Sequence, residues 1–413
     1  MTTAPRRCRA CDAALDQPFL DLGPTPLANS YLRADELERS EPVYPLEVFV
    51  CGTCFLVQLP LVVAPESIFS DYAYFSSYSR TWVEHAERYA HGMIDRLRCD
   101  TRSLVVEIAS NDGYLLQFFK RRDVPILGIE PARNVAEAAQ AAGVPTLTEF
   151  FGATLAHRLA GEGRQADLLI ANNVLAHVPA LNDFVEGLAI ALKPGGLITL
   201  EFPHLLRLMA ENEFDTIYHE HFSYFSLTVV VQVLARHGLA VVDVEELATH
   251  GGSLRVHARH RDDPSALPRE RVSALLAREA DAGLGRLDRY TAFAEQARET
   301  KRALLDFLIA AKRKGASIVG YGAPAKGNTL LNYCGVRTDF LDYTVDRSPH
   351  KQGRFLPGTR IPIHAPARIF ETRPDYVLIL PWNLKGEIME QMAAVREWGG
   401  RFVVPVPRAE VVA

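Results

Sequence analysis

Between residues 104 and 202 apolar runs alternate with amphipathic stretches: LVVEIA then YLLQFFKRR, PILGIEP then NVAEAAQAAG, DLLIANNVL then LNDFVEGLAIAL, and finally LITLEFP. Short apolar runs bounded by turn signals read as strands buried on both faces. Their alternation with helices predicts a parallel sheet covered on both sides. Residues 227–260 predict an apolar helix, a strand near Leu239–Val244 and a second strand, SLRVHAR, joined by an HGG segment, an arrangement that suits an antiparallel edge pair. Upstream, SDYAYFSSYSRTWVEHAERYAHGMIDRL opens with tyrosines and serines and then turns helical, placing Trp82, Ala86, Tyr89 and Met93 on one face. From about Pro264 to Lys314 the pattern is helical throughout, interrupted by Gly283 and Gly285. The C-terminal residues alternate again (SIVGYG, KGNTLLNYCG, LDYTVD, DYVLILP, GEIMEQMAAVREWGG, RFVVPVP) and predict a second, smaller parallel α/β unit.

Periodicity is weakest over the first 65 residues or so, where many prolines separate short apolar runs such as Leu46–Val50. Two Cys-x-x-Cys pairs fall in this stretch, Cys8 with Cys11 and Cys51 with Cys54, separated by 39 residues. Four thiolates arranged tetrahedrally suit a closed structural Zn2+ site, and accidental pairing and a redox dithiol are the alternatives. Cys99 and Cys334 have no partner at ligand spacing and read as small buried residues.

Composition narrows the class. A chain of 413 residues exceeds one ordinary core, and 48% hydrophobic with 23% charged residues describes a folded protein. With a net charge of −5 and no Lys/Arg block, neither a nucleic-acid nor an anionic-membrane footprint is expected, which leaves a small-molecule partner. The N-terminus lacks the apolar run of a signal peptide, and nowhere do about 18 apolar residues follow one another, so a cytoplasmic location is expected.

Glu107 ends a strand and is followed by the tight turn Ser110–Gly113 and a helix start, where ligands of parallel sheets sit; Gly113 suits close approach of the backbone. Glu130 ends the next strand 23 residues on, where an acid can accept both ribose hydroxyls of a nucleoside. A nicotinamide dinucleotide would also use such an acid, but the turn lacks G-x-G-x-x-G and carries Asp112, which opposes a pyrophosphate. S-adenosylmethionine has no phosphate and bears an ammonium and a sulfonium, so it suits acidic residues.

Together, Glu107-Ile-Ala109-Ser-Asn-Asp-Gly113, Glu130, Asn172-Asn173-Val-Leu-Ala-His177 and Lys193-Pro-Gly-Gly196 resemble the motifs of class I methyltransferases, with Ala109 in place of the usual first glycine. FLDLGPTPLANSYL, EIASNDGYLL, FDTIYHEHFSYFS, HGGSLR and VGYGAPAKGNTLLNY resemble the sugar C-methyltransferases, which act on nucleotide-linked 4-keto-6-deoxy sugars. The resemblance runs from Cys8 to about Val406. It implies an α/β protein with a zinc-binding module (1–68), a Rossmann-like methyltransferase domain (69–260), a helical connector (261–314) and a C-terminal α/β domain (315–413) that helps hold a dTDP-linked sugar. Implied cofactor contacts are Glu107, Ala109, Asn111, Gly113, Glu130, Pro131, Asn172, Asn173 and His177, joined by Ser77 and Tyr78.

In FDTIYHEHFSYFS the resemblance implies an active-site role for Tyr218, Glu220 and His221, and Tyr74 belongs to a lead-in expected to cover the site mouth. The chemistry asks for a base, because carbon is a poor nucleophile until a proton beside a carbonyl is removed. A histidine near neutrality suits that task, and a neighbouring carboxylate can set its tautomer. His250 in HGGSLR, with Tyr321 and Lys326 in VGYGAPAKG, are expected on the substrate side, the lysine toward a pyrophosphate. Asp346, ending the next strand, equally permits a nicotinamide dinucleotide there.

Overall fold

The computed structural model describes residues 6–69, 75–78 and 80–412. The chain forms two compact units, one of residues 1–16, 51–205 and 222–285, the other of residues 17–50, 206–221 and 286–413.

The first unit is built on seven strands: β1 (Val105–Ile108), β2 (Ile126–Ile129), β3 (Thr146–Leu147), β4 (Ala166–Asn172), β5 (Leu192–Pro203), β6 (Leu239–Leu247) and β7 (Ser253–His260). Their order is β3-β2-β1-β4-β5-β7-β6. Neighbours from β3 to β5 run parallel, whereas β7 lies antiparallel to both β5 and β6. The expected antiparallel pair is thus present, with β7 inside the sheet and β6 at its edge. Because β1 leads to β2 on one side while β4 lies on the other, the order reverses between β1 and β4, and a crevice opens at their carboxyl ends. Every residue of β1 is buried, as a strand covered on both faces requires. Helix Arg80–Leu97 buries Ala86, Tyr89, Ala90, Met93 and Ile94 in a cluster with Tyr114, Phe118 and Phe119.

Helix Leu227–Arg236 begins at Ser226, whose hydroxyl accepts the Val229 amide proton at 3.2 Å. Beyond that cap, the buried Glu279 carboxylate accepts from the amides of Leu227 (2.6 Å) and Thr228 (2.8 Å) and lies 2.7 Å from Nε2 of His204. A carboxylate at a helix N-terminus meets unpaired donors and the positive end of the dipole, so Glu279 ties helix Glu270–Asp281 to this unit.

The second unit holds β8 (Ile318–Tyr321), β9 (Thr344–Val345), β10 (Ile363–His364), β11 (Tyr376–Ile379), β12 (Arg401–Val404) and β13 (Glu410–Val412) in the order β10-β9-β8-β11-β12-β13. All neighbours are parallel except the last pair. An antiparallel pair, Gln17–Thr25 with Tyr44–Val50, and helix Phe293–Arg313 belong to the same unit. Among the described residues no helix is long and apolar enough to cross a membrane.

Candidate functional site

The two cysteine pairs adopt the same local turn. Asp12 and Phe55, each following the second cysteine of its pair, have φ of 61° and 62°. The amide of each donates to the carbonyl of the first cysteine, Asp12 to Cys8 at 2.8 Å and Phe55 to Cys51 at 2.9 Å. The turns bring all four Sγ atoms within 4.8 Å of one another, with Cys8 to Cys54 at 3.6 Å and Cys11 to Cys51 at 3.5 Å. Tetrahedral zinc with Zn–S near 2.3 Å demands sulfur–sulfur separations of about 3.8 Å, so the thiols fit the ion. The Gln58 amide donates to Cys8 Sγ at 3.1 Å, and a hydrogen bond with Cys54 holds the Cys8 thiol well below the usual thiol range.

At the crevice between β1 and β4, the turn after β1 passes through three left-handed positions, Ala109 (φ 55°), Asn111 (φ 50°) and Gly113 (φ 78°). A Cβ on Gly113 would stand 2.7 Å from Cγ2 of Val144, so protein packing as well as the positive φ requires glycine there. Glu130 fixes the turn from the end of β2: its carboxylate accepts the Asn111 amide at 3.0 Å and the Ala132 amide, just past Pro131, at 2.9 Å. Burial, with Asp112 and Glu130 nearby, pushes the Glu107 carboxyl well above the usual range. Burial also raises Glu130, against the pull of its two amide bonds. Oε2 of Glu107, Oγ of Ser110, Oδ1 of Asp112 and Oδ1 of Asn172 are buried with no hydrogen-bond partner among the described residues. Buried polar atoms left open in this way are uncommon. Acceptors facing one crevice fit a ligand that brings N–H, O–H and positive charge, as the ammonium, ribose and sulfonium of S-adenosylmethionine do.

Around this cradle, Asn173 has φ 54° and its amide donates to the carbonyl of Glu201 at 2.7 Å, while His177 ends the short helix Leu175–His177. Ser77 and Tyr78 are exposed in the turn Ser76–Tyr78, which is anchored on the cradle: the Ser76 amide donates to Asn111 at 2.8 Å and that of Ser77 to Asp112 at 3.1 Å. Tyr74 lies outside the described residues. His250 is exposed, with φ 56° and its ring centroid 5.2 Å from that of Trp82, in a loop held by Thr249 on Glu201 at 3.2 Å.

The segment 206–221 belongs to the second unit. Nδ1 of His221 stands 2.8 Å from the carbonyl oxygen of Thr216. A carbonyl can only accept, so in the neutral ring Nδ1 carries the proton and Nε2 carries the lone pair. The tautomer is therefore set by a backbone carbonyl, where sequence reasoning looked to a carboxylate. The Tyr218 ring packs against His221 at a centroid distance of 4.1 Å. Glu220 is buried and accepts from Asn29 at 2.6 Å. His219 is buried against Pro45 and Tyr44, and burial lowers its pKa. Asn29 lies in the ANSYL stretch that the resemblance singled out, but nothing local to that stretch signals its bond to Glu220.

The turn after β8 is filled by the chain itself. The Asp346 carboxylate accepts the Ala323 amide at 2.8 Å with one oxygen and the Ser348 amide at 2.8 Å with the other. Tyr321 donates its hydroxyl to Gln391 at 3.3 Å. Lys326 donates to Asn383 at 3.0 Å and lies over the Trp382 ring at 4.3 Å. Burial lowers its pKa against the opposing pull of Asp215 and Glu213, and burial raises those two acids to about 6 and about 7. The expected pyrophosphate seat thus already contains a carboxylate, and the lysine charge is balanced from within.

Three family models match the chain: a zinc binding domain over residues 8–69, a methyltransferase domain over 82–244 and a C-methyltransferase C-terminal domain over 248–407. The chain is similar to C-methyltransferase NovU of Streptomyces niveus, with 35% identity over 410 residues that cover 98% of this chain and 96% of that one. A ubiquinone biosynthesis O-methyltransferase of Bartonella tribocorum is 30% identical over 95 residues, covering 23% of this chain and 38% of that one. Among solved structures, magnesium protoporphyrin IX methyltransferase from Synechocystis PCC 6803 with bound SAM aligns at 16% identity over 43% of this chain and 80% of that one, with a TM-score of 0.32.

Proposed function

Because the chain belongs to the C-methyltransferase family, with S-adenosylmethionine as methyl donor and zinc in its N-terminal module, we propose that its acceptor is a nucleotide-linked 4-keto-6-deoxy sugar, carried on dTDP and methylated at C3. The observation that carries the proposal is the tautomer of His221, held by the Thr216 carbonyl so that Nε2 keeps its lone pair beside Tyr218. S-adenosylmethionine supplies an electrophilic methyl group. His221 takes the proton from C3, whose acidity comes from the adjacent 4-keto group. The Tyr218 hydroxyl donates to the carbonyl oxygen as that oxygen gains charge. Glu220, bonded to Asn29, steadies the backbone between them. Glu107, Asp112, Glu130 and Asn172 hold the donor through its ammonium and ribose, with Ala109, Asn111, Gly113, Pro131, Asn173 and His177 shaping the cradle. This proposal gives Lys326 no phosphate contact.

The test separates binding from chemistry. His221→Asn should retain its affinity for S-adenosylhomocysteine and for the nucleotide sugar while methylation slows by about 10²–10⁴-fold, the usual contribution of a positioned base. With S-adenosylhomocysteine bound, wild-type protein should exchange the C3 hydrogen for solvent deuterium and the variant should not. Equal exchange by both proteins would assign the base to another residue.

A further inference from the structure

We propose that Arg9, inside the first zinc knuckle, is a positioning residue for the reaction, acting on the backbone that directly follows His221. Its Nη1 donates to the carbonyl of Phe222 at 2.6 Å and to the Ser223 hydroxyl at 3.3 Å, and its Nη2 donates to the carbonyl of Leu59 at 2.5 Å. The guanidinium also lies 5.6 Å from the centre of the Phe222 ring. Among the described residues no carboxylate forms an ion pair with it. A desolvated arginine held by carbonyls is a costly way to fill space, and its planar fork suits two acceptors that must keep a fixed separation.

The residue it grips is fixed from the other side as well. The Phe222 amide donates to the carbonyl of Ala176 at 2.7 Å, one position before His177 in the donor-side motif. Strand Val57–Gln58 pairs antiparallel with Ser223–Tyr224, placing Gln58 opposite Ser223. Gln58 in turn bonds the zinc ligand Cys8 at 3.1 Å and accepts the Arg9 amide at 3.0 Å. The knuckle is itself anchored, since Asn182 donates to the carbonyls of Arg9 at 3.1 Å and Ala10 at 3.2 Å. Zinc holds the knuckle, the knuckle holds Arg9, and Arg9 fixes the backbone of Phe222, the residue that follows His221 in the chain. The metal module therefore contributes to turnover and not only to stability. The effect on methylation rests on the reading of His221 as base, whereas the effect on the backbone does not.

The test uses the zinc-loaded full chain with Arg9→Met and Arg9→Lys. In Arg9→Met the zinc content and the affinity for S-adenosylhomocysteine should match wild type, while amide hydrogen exchange in a peptide spanning residues 218–224 should quicken by about tenfold or more, as expected when local opening becomes easier. With dTDP-4-keto-6-deoxyglucose as acceptor, kcat should fall by up to about 10²-fold with KM little changed, the effect of a displaced reacting group. Arg9→Lys, which reaches one carbonyl only, should lie between the two, and it carries the test if the methionine variant does not fold. Unchanged exchange at 218–224 overturns the proposal. So does a loss of activity that only tracks lost zinc, because Arg9 would then be an ordinary part of the metal module. If His221→Asn leaves proton removal intact while exchange at 218–224 still quickens in Arg9→Met, the base assignment fails and the backbone clamp stands.

Discussion

Two strand–turn–helix crevices in this chain look alike in sequence and differ in what fills them. After β1 the turn 109–113 collects Glu107, Asp112 and Glu130 and leaves buried oxygens of Glu107, Ser110, Asp112 and Asn172 without partners among the described residues. After β8 the turn 321–324 meets Asp346, which, like Glu130 in the first crevice, uses both carboxylate oxygens on backbone amides, here those of Ala323 and Ser348. The nearby acids Glu213 and Asp215 each keep one buried oxygen without a hydrogen-bond partner among the described residues, but they have Lys326 as counter-charge, whereas no cation is among the charges acting on Glu107. Buried acceptors with neither partner nor counter-charge mark a place where a ligand completes the structure, and acids matched by a buried lysine mark a place where the fold supplies its own counter-charge. A Rossmann-like turn thus becomes informative about binding only once its donors and acceptors are accounted for.

Among the changes that bear on this contrast, the largest expected effect comes from removing charge in the first crevice. Glu107→Gln should weaken S-adenosylmethionine binding by about 10- to 150-fold, the equivalent of one charge-assisted hydrogen bond of roughly 1.5–3 kcal/mol. The ligand-free protein should lose no stability, because the cost of burying a charge and the repulsion from Asp112 and Glu130 are both relieved. The pH dependence follows from the raised Glu107 carboxyl. Ligand-free wild type is favoured while Glu107 is protonated, at and below the ordinary carboxylate range, and loses that advantage as pH rises through the raised value. A cationic ligand draws the proton off, so affinity rises over the same window, and both slopes should flatten in the variant. Calorimetry and denaturant unfolding across pH measure the two. Equal pH slopes in wild type and variant would remove Glu107 from the donor site.

The second crevice should respond in the opposite sense. Asp346→Ala leaves two amides without an acceptor, so unfolding stability should drop by about 1–3 kcal/mol while S-adenosylhomocysteine affinity stays as it is. Chemical denaturation and calorimetry of one preparation suffice. A variant that keeps its stability but loses affinity for the nucleotide sugar would make Asp346 a binding residue and dissolve the contrast.

Much of this was legible in the sequence because it is periodic or local. Buried parallel strands advertise themselves as unbroken apolar runs, and the cysteine knuckles as two identical short motifs. The acids at the ends of β1 and β2 follow from the rule that ligands gather at carboxyl ends. What escaped is non-local or lacks a pattern. The two-residue strand Thr146–Leu147 is too short to show alternation. Arg9 reaches Phe222 across 213 positions and Asn29 reaches Glu220 across 191, and no spacing rule connects such pairs. Asp346 looks from sequence like a ribose acid, and its bonds to the amides of Ala323 and Ser348 depend on a backbone path that no local pattern announces. For His221 the residue type was readable, but the carbonyl that sets its tautomer depends on the path of the backbone from Thr216.

The smallest effect concerns the backbone of the two turns. Ala109 sits at φ 55°, where related motifs carry glycine and where a side chain costs roughly 1–2 kcal/mol. Glycine would relieve that strain but would lose about 0.5–1 kcal/mol through the greater freedom of the unfolded chain. Ala109→Gly should therefore raise stability by less than about 1 kcal/mol. It should leave affinity for S-adenosylhomocysteine unchanged, because Glu130 already fixes the turn through the Asn111 amide. The converse change in the other turn should behave differently. Gly322 has φ 90°, and a Cβ there would lie 2.5 Å from Cδ of Pro381, a rigid ring that cannot swing aside. Gly322→Ala should thus cost more than Ala109→Gly gains, by strain and overlap together, an effect of about 1–3 kcal/mol. Unfolding both variants beside wild type measures the asymmetry. A loss of stability in Ala109→Gly as large as that in Gly322→Ala would mean that the first turn is as tightly packed by its own chain as the second, leaving no room for a ligand to complete it.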